Sequence, residues 1–353
     1  MLKTRFTDLA GVQWPIVQAP MIGGYSDHEM VAVVSNLGCL GTLALGNSSP
    51  ENIEQQCSKT LSITDKPFAA NFFVSEKIRN PSINEKYAAI TALQPFYEEI
   101  GIDSAFLYQK DLTSPPDLNT QIETIIDLKV PIVTFTFGIP SLTVINKLKQ
   151  NGVVVIGTAT NLTEAIRIQN AGFHAVILQG IGAGGHRASF LNDGSRGPDT
   201  QLLNRQTTDS ITIPRILAGG IMDGQQIADY LNQGADACQL GSAYLLTDEA
   251  KLDDHYAAEL QKAGSNTCLS KSFTGKYARV ICNKFTTAIK GKTVLNFPFQ
   301  GQLTMDMRIK AEEIREYGLL PMWAGESASS GQRQTAACLT KKLISELQAS
   351  ISK

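Results

Sequence analysis

The stretch "AVILQGIGAGGHRASF" (residues 175–190) admits two readings, and the choice between them decides the fold. Gly180, Gly182 and Gly185 keep the G-x-G-x-x-G spacing of a dinucleotide-binding turn, and Asp199 follows where a ribose-binding acid could stand. That fingerprint has to open a helix at once and place its acid at the end of the next strand. Here the chain continues as "HRASFLNDGSRGPDT" (186–200), polar, glycine-rich and interrupted by Pro198, with no strand before Asp199. The dinucleotide reading therefore fails. The apolar run reads as a buried strand, and the glycines as a flexible loop at its carboxyl end that delivers His186 and Arg187.

Seven further runs share the apolar character of 175–180: "IVQAPM" (16–21), "GTLALG" (41–46), "FAANFFV" (68–74), "IVTFTFG" (132–138), "VVVIGTA" (153–159), "RILAGGI" (215–221) and "ACQLGS" (237–242). Continuous rather than alternating apolarity marks strands of a parallel sheet covered on both faces. The phrases "NAGFHAVILQG" (170–180) and "NQGADACQLGS" (232–242) repeat one device, a helix end, a glycine and a buried strand with a polar tip. Helix limits are readable between the strands. Asp27 is placed to cap a helix carrying Met30, Val33, Val34 and Leu37 on one face and stopping at Gly38; Asn161 with Glu164, and Asp223 with Gln226, have capping-box spacing, with stops at Gly172 and Gly234. Eight such strands predict an α/β fold, a (β/α)8 TIM barrel.

Two segments break the register. Residues 80–128 exceed a plain crossover, so a helical excursion and a loop over the barrel mouth are expected there. From 247 to 320 charged helical patterns replace the strand phrases. The expected organisation is a barrel over 1–246, a smaller, mostly helical appended domain inserted at 247–320 and covering the active site, and a segment 321–353 whose last helix returns to the barrel.

Lys and Arg total 31 against 33 Asp and Glu, a formal charge of −2, so no field of one sign recommends nucleic acid or a membrane as partner. A small-molecule substrate is the expected partner. The six cysteines form no C-x-x-C pair, which fits buried thiols in a reducing compartment, and no window approaches the ~20 apolar residues of a membrane span. The opening "MLKTRFTDLAGVQWPIV" lacks the apolar core of a signal peptide, so a cytoplasmic protein is expected. No heptad seam demands assembly, and a monomer or weak homodimer is expected.

Chemistry in a β/α barrel gathers at the carboxyl ends of the strands. Of the four histidines only His186 stands at such a tip; His28 opens a helix, His174 sits at a helix-to-strand junction and His255 on the surface. Gly184 and Gly185 let the backbone lie against a flat or anionic ligand. The tips of the seventh and eighth runs carry Gly219, Gly220, Gly241 and Ser242, the usual phosphate seat of this architecture, although glycines there could simply make tight turns. Gln18, Asn71, Gln179 and Gln239 offer amides that suit the edge of a flavin or, for Gln18 in particular, satisfy backbone at a strand end. No cluster has metal-ligand spacing, so no metal site is expected.

Taken in order, "QAPMIGGYSDHEMVAVVSNLGCLGTLALG", "PFAANFF", "LQGIGAGGHRAS", "RILAGGIMDGQQIADYLNQGADACQLGSAYL" and "SFTGKYAR" resemble the motifs of the nitronate monooxygenases, formerly 2-nitropropane dioxygenases. The likeness covers most of the chain and is weakest at 80–130 and 245–265. It implies an FMN-dependent enzyme that oxidises alkyl nitronates, such as propionate 3-nitronate, with dioxygen to a carbonyl compound and nitrite. By position it implies FMN contacts at Ala19, Pro20, Met21, Asn71, Gln179, Gly184, Gly219, Gln239, Leu240, Gly241 and Ser242. It makes His186 the catalytic base, with Arg187, a protonated His186 or loop N–H groups available to hold the anionic substrate. The family usually has an acid where Gly182 stands and a glycine where Ala188 stands. The rival reading is an FMN-dependent NAD(P)H reductase of the enoyl-thioester or quinone type, whose relatives share the G-G-H loop. Tyr277, Tyr317 and Trp323 are candidates for the substrate pocket.

Overall fold

A computed structural model describes residues 2–74 and 78–351; Met1, 75–77 and the last two residues lie outside the described set. The strands are Ile16–Gln18 (β1), Gly41–Gly46 (β2), Phe68–Phe73 (β3), Ile132–Thr136 (β4), Val154–Ala159 (β5), Ala175–Gln179 (β6), Gly185–His186 (β7), Arg215–Ala218 (β8), Ala237–Leu240 (β9), Thr267–Ser270 (β10) and Ala278–Ile281 (β11). Eight of them form one parallel sheet in the order β1-β9-β8-β6-β5-β4-β3-β2. A bridge between Val17 and Leu40 returns β2 to β1, with Gln18 N–H donating to Leu40 O and Leu40 N–H to Ile16 O, both at 2.9 Å. The sheet thus closes nearly completely into the (β/α)8 barrel, and every one of its strands coincides with one of the eight apolar runs.

Alternate residues of each strand face opposite ways. Val17, Ala69, Ile132, Ile156, Ala175, Ile177, Ile216 and Ala237 point inward into one core, which Phe6 and Ala10 of the helix Arg5–Ala10 close from below. That plug is tied to the barrel by a two-pronged ion pair, Arg5 Nε to Asp236 Oδ1 at 2.8 Å and Nη2 to Oδ2 at 2.6 Å. The intervening residues, Ile16, Ala70, Phe72, Val133, Val155, Val176, Leu178, Leu217, Cys238 and Leu240, pack outward against the helices. Because both phases are apolar, the strands read as unbroken runs.

Asp27, Asn161 and Asp223 cap their helices as the spacing predicts. The reciprocal half of the Asn161 box is not made: Glu164 is drawn beneath the neighbouring loop, where Oε2 accepts from Thr160 and Oε1 from the N–H groups of Phe190 and Leu191 at 2.8 and 3.0 Å. The last helix, Ala336–Ile351, packs on the helices Gly224–Asn232 and His28–Asn36.

The irregular segments meet each other. The helix Ile83–Glu99 and residues 273–319 share a second hydrophobic core that includes Leu93, Tyr97, Phe273, Phe285, Phe299 and Met307. Tyr97 Oη donates to the Leu303 carbonyl at 2.5 Å inside it. The helix Leu118–Asp127 resumes the barrel ring. Residues 267–281 add something that the helical charge pattern did not announce: β10 and β11 pair antiparallel, and β7 joins β11, with Gly185 opposite Arg279 and His186 opposite Ala278. Among the described residues no helix is long and apolar enough to cross a membrane.

Candidate active site

The inward phase of the barrel strands continues at their carboxyl ends into a cavity of about 510 Å³. Ala19, Pro20, Met21, Asn71, Gln179, Gly184, Gly185, His186, Gly219, Gly220, Gln239, Gly241 and Ser242 all line it. Leu240 does not. It is fully buried on the outward phase of β9, and only its carbonyl turns to this end, accepting from Ala19 N–H at 2.9 Å.

Phase also disposes of Gln18. It is one residue out of step with Val17 and Ala19, so its amide stays in the wall, where Oε1 accepts from Thr42 N–H at 2.9 Å and Nε2 donates to Ser26 Oγ at 3.1 Å and to the Ala19 carbonyl. The same count finds two lining residues that inspection for amides passes over, Thr136 on β4 and Thr158 on β5, each an even number of places beyond an inward isoleucine. Thr274, Arg308, Trp323 and Ser327 also line the cavity; they come from segments with no strand phase to count, and Trp323 alone had been singled out, as an aromatic. Tyr317 lines the cavity too, whereas Tyr277 does not; its ring lies under Lys271 Nζ at 4.6 Å.

The expected flexible loop is pinned. Arg187 N–H donates to Tyr277 O at 2.8 Å beside the β7–β11 pairing. Gln179 holds the loop from below: Nε2 donates to His186 O at 2.9 Å, and Oε1 accepts from Ala188 N–H at 2.9 Å and Arg187 Nη1 at 3.1 Å. The two central glycines serve different needs. A Cβ at Gly184 would stand 2.6 Å from Gly325 N, so the absent side chain is what lets two backbones cross. Gly185 has φ +70° with open space around it, and its need is conformational. At Gly182 a Cβ would lie 2.7 Å from Glu326 Oε2, and that carboxylate pairs with Arg279 at 2.8 Å. The carboxylate thus reaches this place from the C-terminal segment.

His186 is walled by aromatic rings, with centroids of Trp323, Phe137, Phe297 and Phe73 at 5.3, 5.8, 5.9 and 6.3 Å. This burial, with Lys276 and Arg308 nearby, pushes its pKa down to about 4. The imidazole is therefore neutral at pH 7, and a protonated His186 is not the group that holds an anion. Its Nε2 lies 2.9 Å from Thr274 Oγ1, whose hydroxyl is also 3.3 Å from Lys276 O. Arg187 is not an anion holder either. It is fully buried under the loop, away from the cavity, with Nη1 donating to the Gly180 carbonyl at 2.7 Å.

Asp199, the apparent ribose acid, caps the helix Thr200–Thr207, its Oδ1 accepting from Leu202 N–H at 2.7 Å. That use closes the dinucleotide reading in structural terms.

The donor set suits a flavin. Gln239 Oε1 is buried at the cavity wall with no hydrogen-bond partner among the described residues, an expensive state unless a ligand donor meets it. Asn71, elsewhere on the same cavity wall, is oriented by Thr134 Oγ1 at 2.8 Å and Thr136 Oγ1 at 3.0 Å. Gly219, Gly220 and Gly241 present bare backbone at the two tips read as a phosphate seat. No group of three or more His, Cys, Asp or Glu among the described residues could hold a metal ion.

Comparison with known proteins agrees with this geometry. The sequence profile of a family described as nitronate monooxygenase matches residues 3–349. A protein of Staphylococcus saprophyticus named "probable nitronate monooxygenase" is 36% identical over 353 residues, covering 98% of each chain. Its counterpart in Staphylococcus aureus is 33% identical over 351 residues, covering 98% of this chain and 97% of that one. The crystal structure of a nitroalkane oxidase from Streptomyces ansochromogenes superimposes with a TM-score of 0.88 at 31% identity, covering 99% of both chains.

Proposed function

The chain belongs to the nitronate monooxygenase family of flavin oxidoreductases, and from that premise we propose that it binds FMN at the barrel mouth and oxidises alkyl nitronates, such as propionate 3-nitronate, with dioxygen to a carbonyl compound and nitrite. In this reading Asn71 and Gln239 meet the polar edge of the ring, Ala19, Pro20, Met21, Gln179, Gly184 and Gly185 bound it, and backbone N–H groups at Gly219, Gly220, Gly241 and Ser242 receive the phosphate. Leu240 takes part through its backbone alone. When bound, FMN supplies the electron acceptor and the return of those electrons to dioxygen.

The observation that carries the proposal is the state of His186. A neutral imidazole set in an aromatic wall of the same cavity can take the α-proton of a nitroalkane, and the imidazolium so formed stands beside the anion that results. With the Thr274 hydroxyl turned to Lys276 O, His186 donates through Nε2 and keeps the Nδ1 lone pair for that proton.

The cover is part of the proposal. We assign residues 1–246 and 321–353 to the barrel and 247–320 to the covering domain, with the helix Ile83–Glu99 joined to the cover through the shared core. The six cysteines are free thiols, three of them buried, which supports a cytoplasmic setting, and the protein is taken to act as a monomer or weak homodimer. Anaerobic mixing tests the activity. Bleaching of the yellow protein by a nitronate and not by NADH or NADPH is expected; rapid bleaching by a nicotinamide would replace this function with that of a reductase.

A further inference from the structure

We propose that Cys268 and Cys282 form a dithiol that hydrogen peroxide closes to a disulfide, stapling the base of the hairpin that seats His186. Thiol reductants reopen it.

β10 and β11 are the two arms of that hairpin, and Cys268 stands opposite Val280 in their ladder. Cys282 follows the last residue of β11 and extends the pairing, its N–H donating to Asn266 O at 3.0 Å. The two cysteines are therefore diagonal neighbours across an antiparallel pair. Side chains alternate along each arm, so a residue opposite Val280 and a residue two places after Val280 share one face. Cys39, Cys57 and Cys238 are buried in the barrel core, whereas Cys268 and Cys282 are half-buried, open to a small oxidant. A disulfide needs Cα atoms within about 6.8 Å. The adjustment falls at the open end of the hairpin, where Cys282 is already outside the regular ladder. The chain between the two sulfurs holds the catalytic loop at several points. Thr274 Oγ1 lies 2.9 Å from His186 Nε2, Lys276 Nζ donates to Ser189 O at 2.8 Å, and Tyr277 O accepts from Arg187 N–H at 2.8 Å.

The order of the chemistry follows from the surroundings. Burial, and then the adjoining Cys268 thiol, push the Cys282 thiol up to about 12, so Cys282 keeps its proton at neutral pH and suits the second step. In the first step the Cys268 thiolate attacks a peroxide oxygen: an S–O bond forms, the O–O bond breaks, and hydroxide leaves as water with a proton from solvent. The Cys282 sulfur then attacks the sulfenic acid. The S–S bond forms, the S–O bond breaks, and hydroxide leaves as a second water with the Cys282 proton. Two thiols have lost two electrons and two protons, and one peroxide has become two waters. The new bond limits how far the arms can separate, which restricts the opened states of the hairpin.

The test treats the flavin-loaded enzyme, and its C268S and C282S variants, with hydrogen peroxide, then blocks free thiols and digests without reductant. Mass spectrometry of the wild type should show peptides joined through Cys268 and Cys282, separated again by dithiothreitol and missing from both variants. Amide exchange over residues 270–278 should slow in the oxidised wild type, and its thermal midpoint should rise by a few degrees. Dithiothreitol should reverse both changes, and neither variant should show them. Exposed Cys338 reports that peroxide reached the protein. Oxidation of Cys338 with Cys268 and Cys282 still free, or with each carried separately to a sulfinic acid, would overturn the dithiol. Joined peptides with unchanged exchange over 270–278 would overturn the staple.

Discussion

Gln179 and His186 are joined side chain to backbone, the amide of the first donating to the carbonyl of the second at 2.9 Å. Since Gln179 Oε1 is taken by Ala188 and Arg187, both the nitrogen and the oxygen of this amide are engaged in holding the loop that carries the histidine. Gln179→Met keeps the volume and removes all three bonds. It should lower kcat for a nitroalkane about tenfold or more through misplacement of His186, and amide exchange should show residues 186–188 less protected. Full kcat would show that β11 alone is enough to seat the loop.

His186→Asn removes the proposed base without emptying the aromatic wall. Turnover of neutral nitroalkanes should fall about 10²- to 10⁴-fold, the usual worth of a positioned base, while preformed nitronates lose less and the flavin spectrum is retained. Equal losses on both substrates would mean that His186 binds the nitro group and does not move the proton.

The pH dependence has a definite sign. The folded pKa of His186 is about 4, against about 6.5 for an unperturbed imidazole. The unfolded chain therefore takes up this proton first on acidification. The stabilising contribution is complete above about pH 6.5 and lost as pH falls through 4, about 3 kcal/mol in all. Denaturant titrations at pH 7 and 4.5 should show a larger loss in the wild type than in His186→Asn. For neutral nitroalkanes kcat/KM should likewise lack an inflection near 6.5, and a limb at that pH would show that the imidazole is more hydrated than its surroundings indicate.

Gln239→Leu exchanges the orphaned amide for an apolar group of similar size. Affinity for FMN should weaken by about 1–3 kcal/mol, measured by flavin release on dilution, while the stability of the flavin-free protein holds or rises because an unpaired buried oxygen is gone. Unaltered FMN affinity would mean that Oε1 faces no donor of the ring.

Gly184→Ala and Gly185→Ala should separate by mechanism. At Gly184 the methyl would meet backbone atoms at 2.6 and 2.8 Å, so residues 184 and 325 must move apart, with destabilisation of several kcal/mol expected. At Gly185 only the left-handed conformation is penalised, about 1–2 kcal/mol. Thermal midpoints of the two variants measure the difference.

The barrel was legible because each of its strands is apolar on both faces, and the repeated glycine-strand-tip device made the count reach eight. Much of the cavity's lining was legible for the same reason: tips of parallel strands converge, so naming the tips names the residues that meet. Phase was the finer signal. It separates Ala19 from Gln18 and Gln239 from Leu240, and it would have supplied Thr136 and Thr158. What the sequence could not disclose is pairing between distant segments. Nothing in "GGHRAS" says that Gly185 and His186 will lie against 278–279, and nothing in "MDMRIK" places Arg308 over a barrel mouth. Arg187, adjacent to His186, looked available to substrate, but strand alternation sends adjacent side chains in opposite directions and buried it.

The core shared by the helix Ile83–Glu99 and residues 273–319 has a consequence for inheritance. One part of it is encoded in the third βα connection and the other some 180 residues later, so the cover of the barrel mouth cannot be exchanged as one contiguous cassette. A graft of 247–320 alone from a relative would set a foreign apolar face against Leu93, Phe96 and Tyr97. Chimeras that keep their fold should be those in which both segments come from the same parent, and new substrate preferences should spread through this fold as linked pairs of changes.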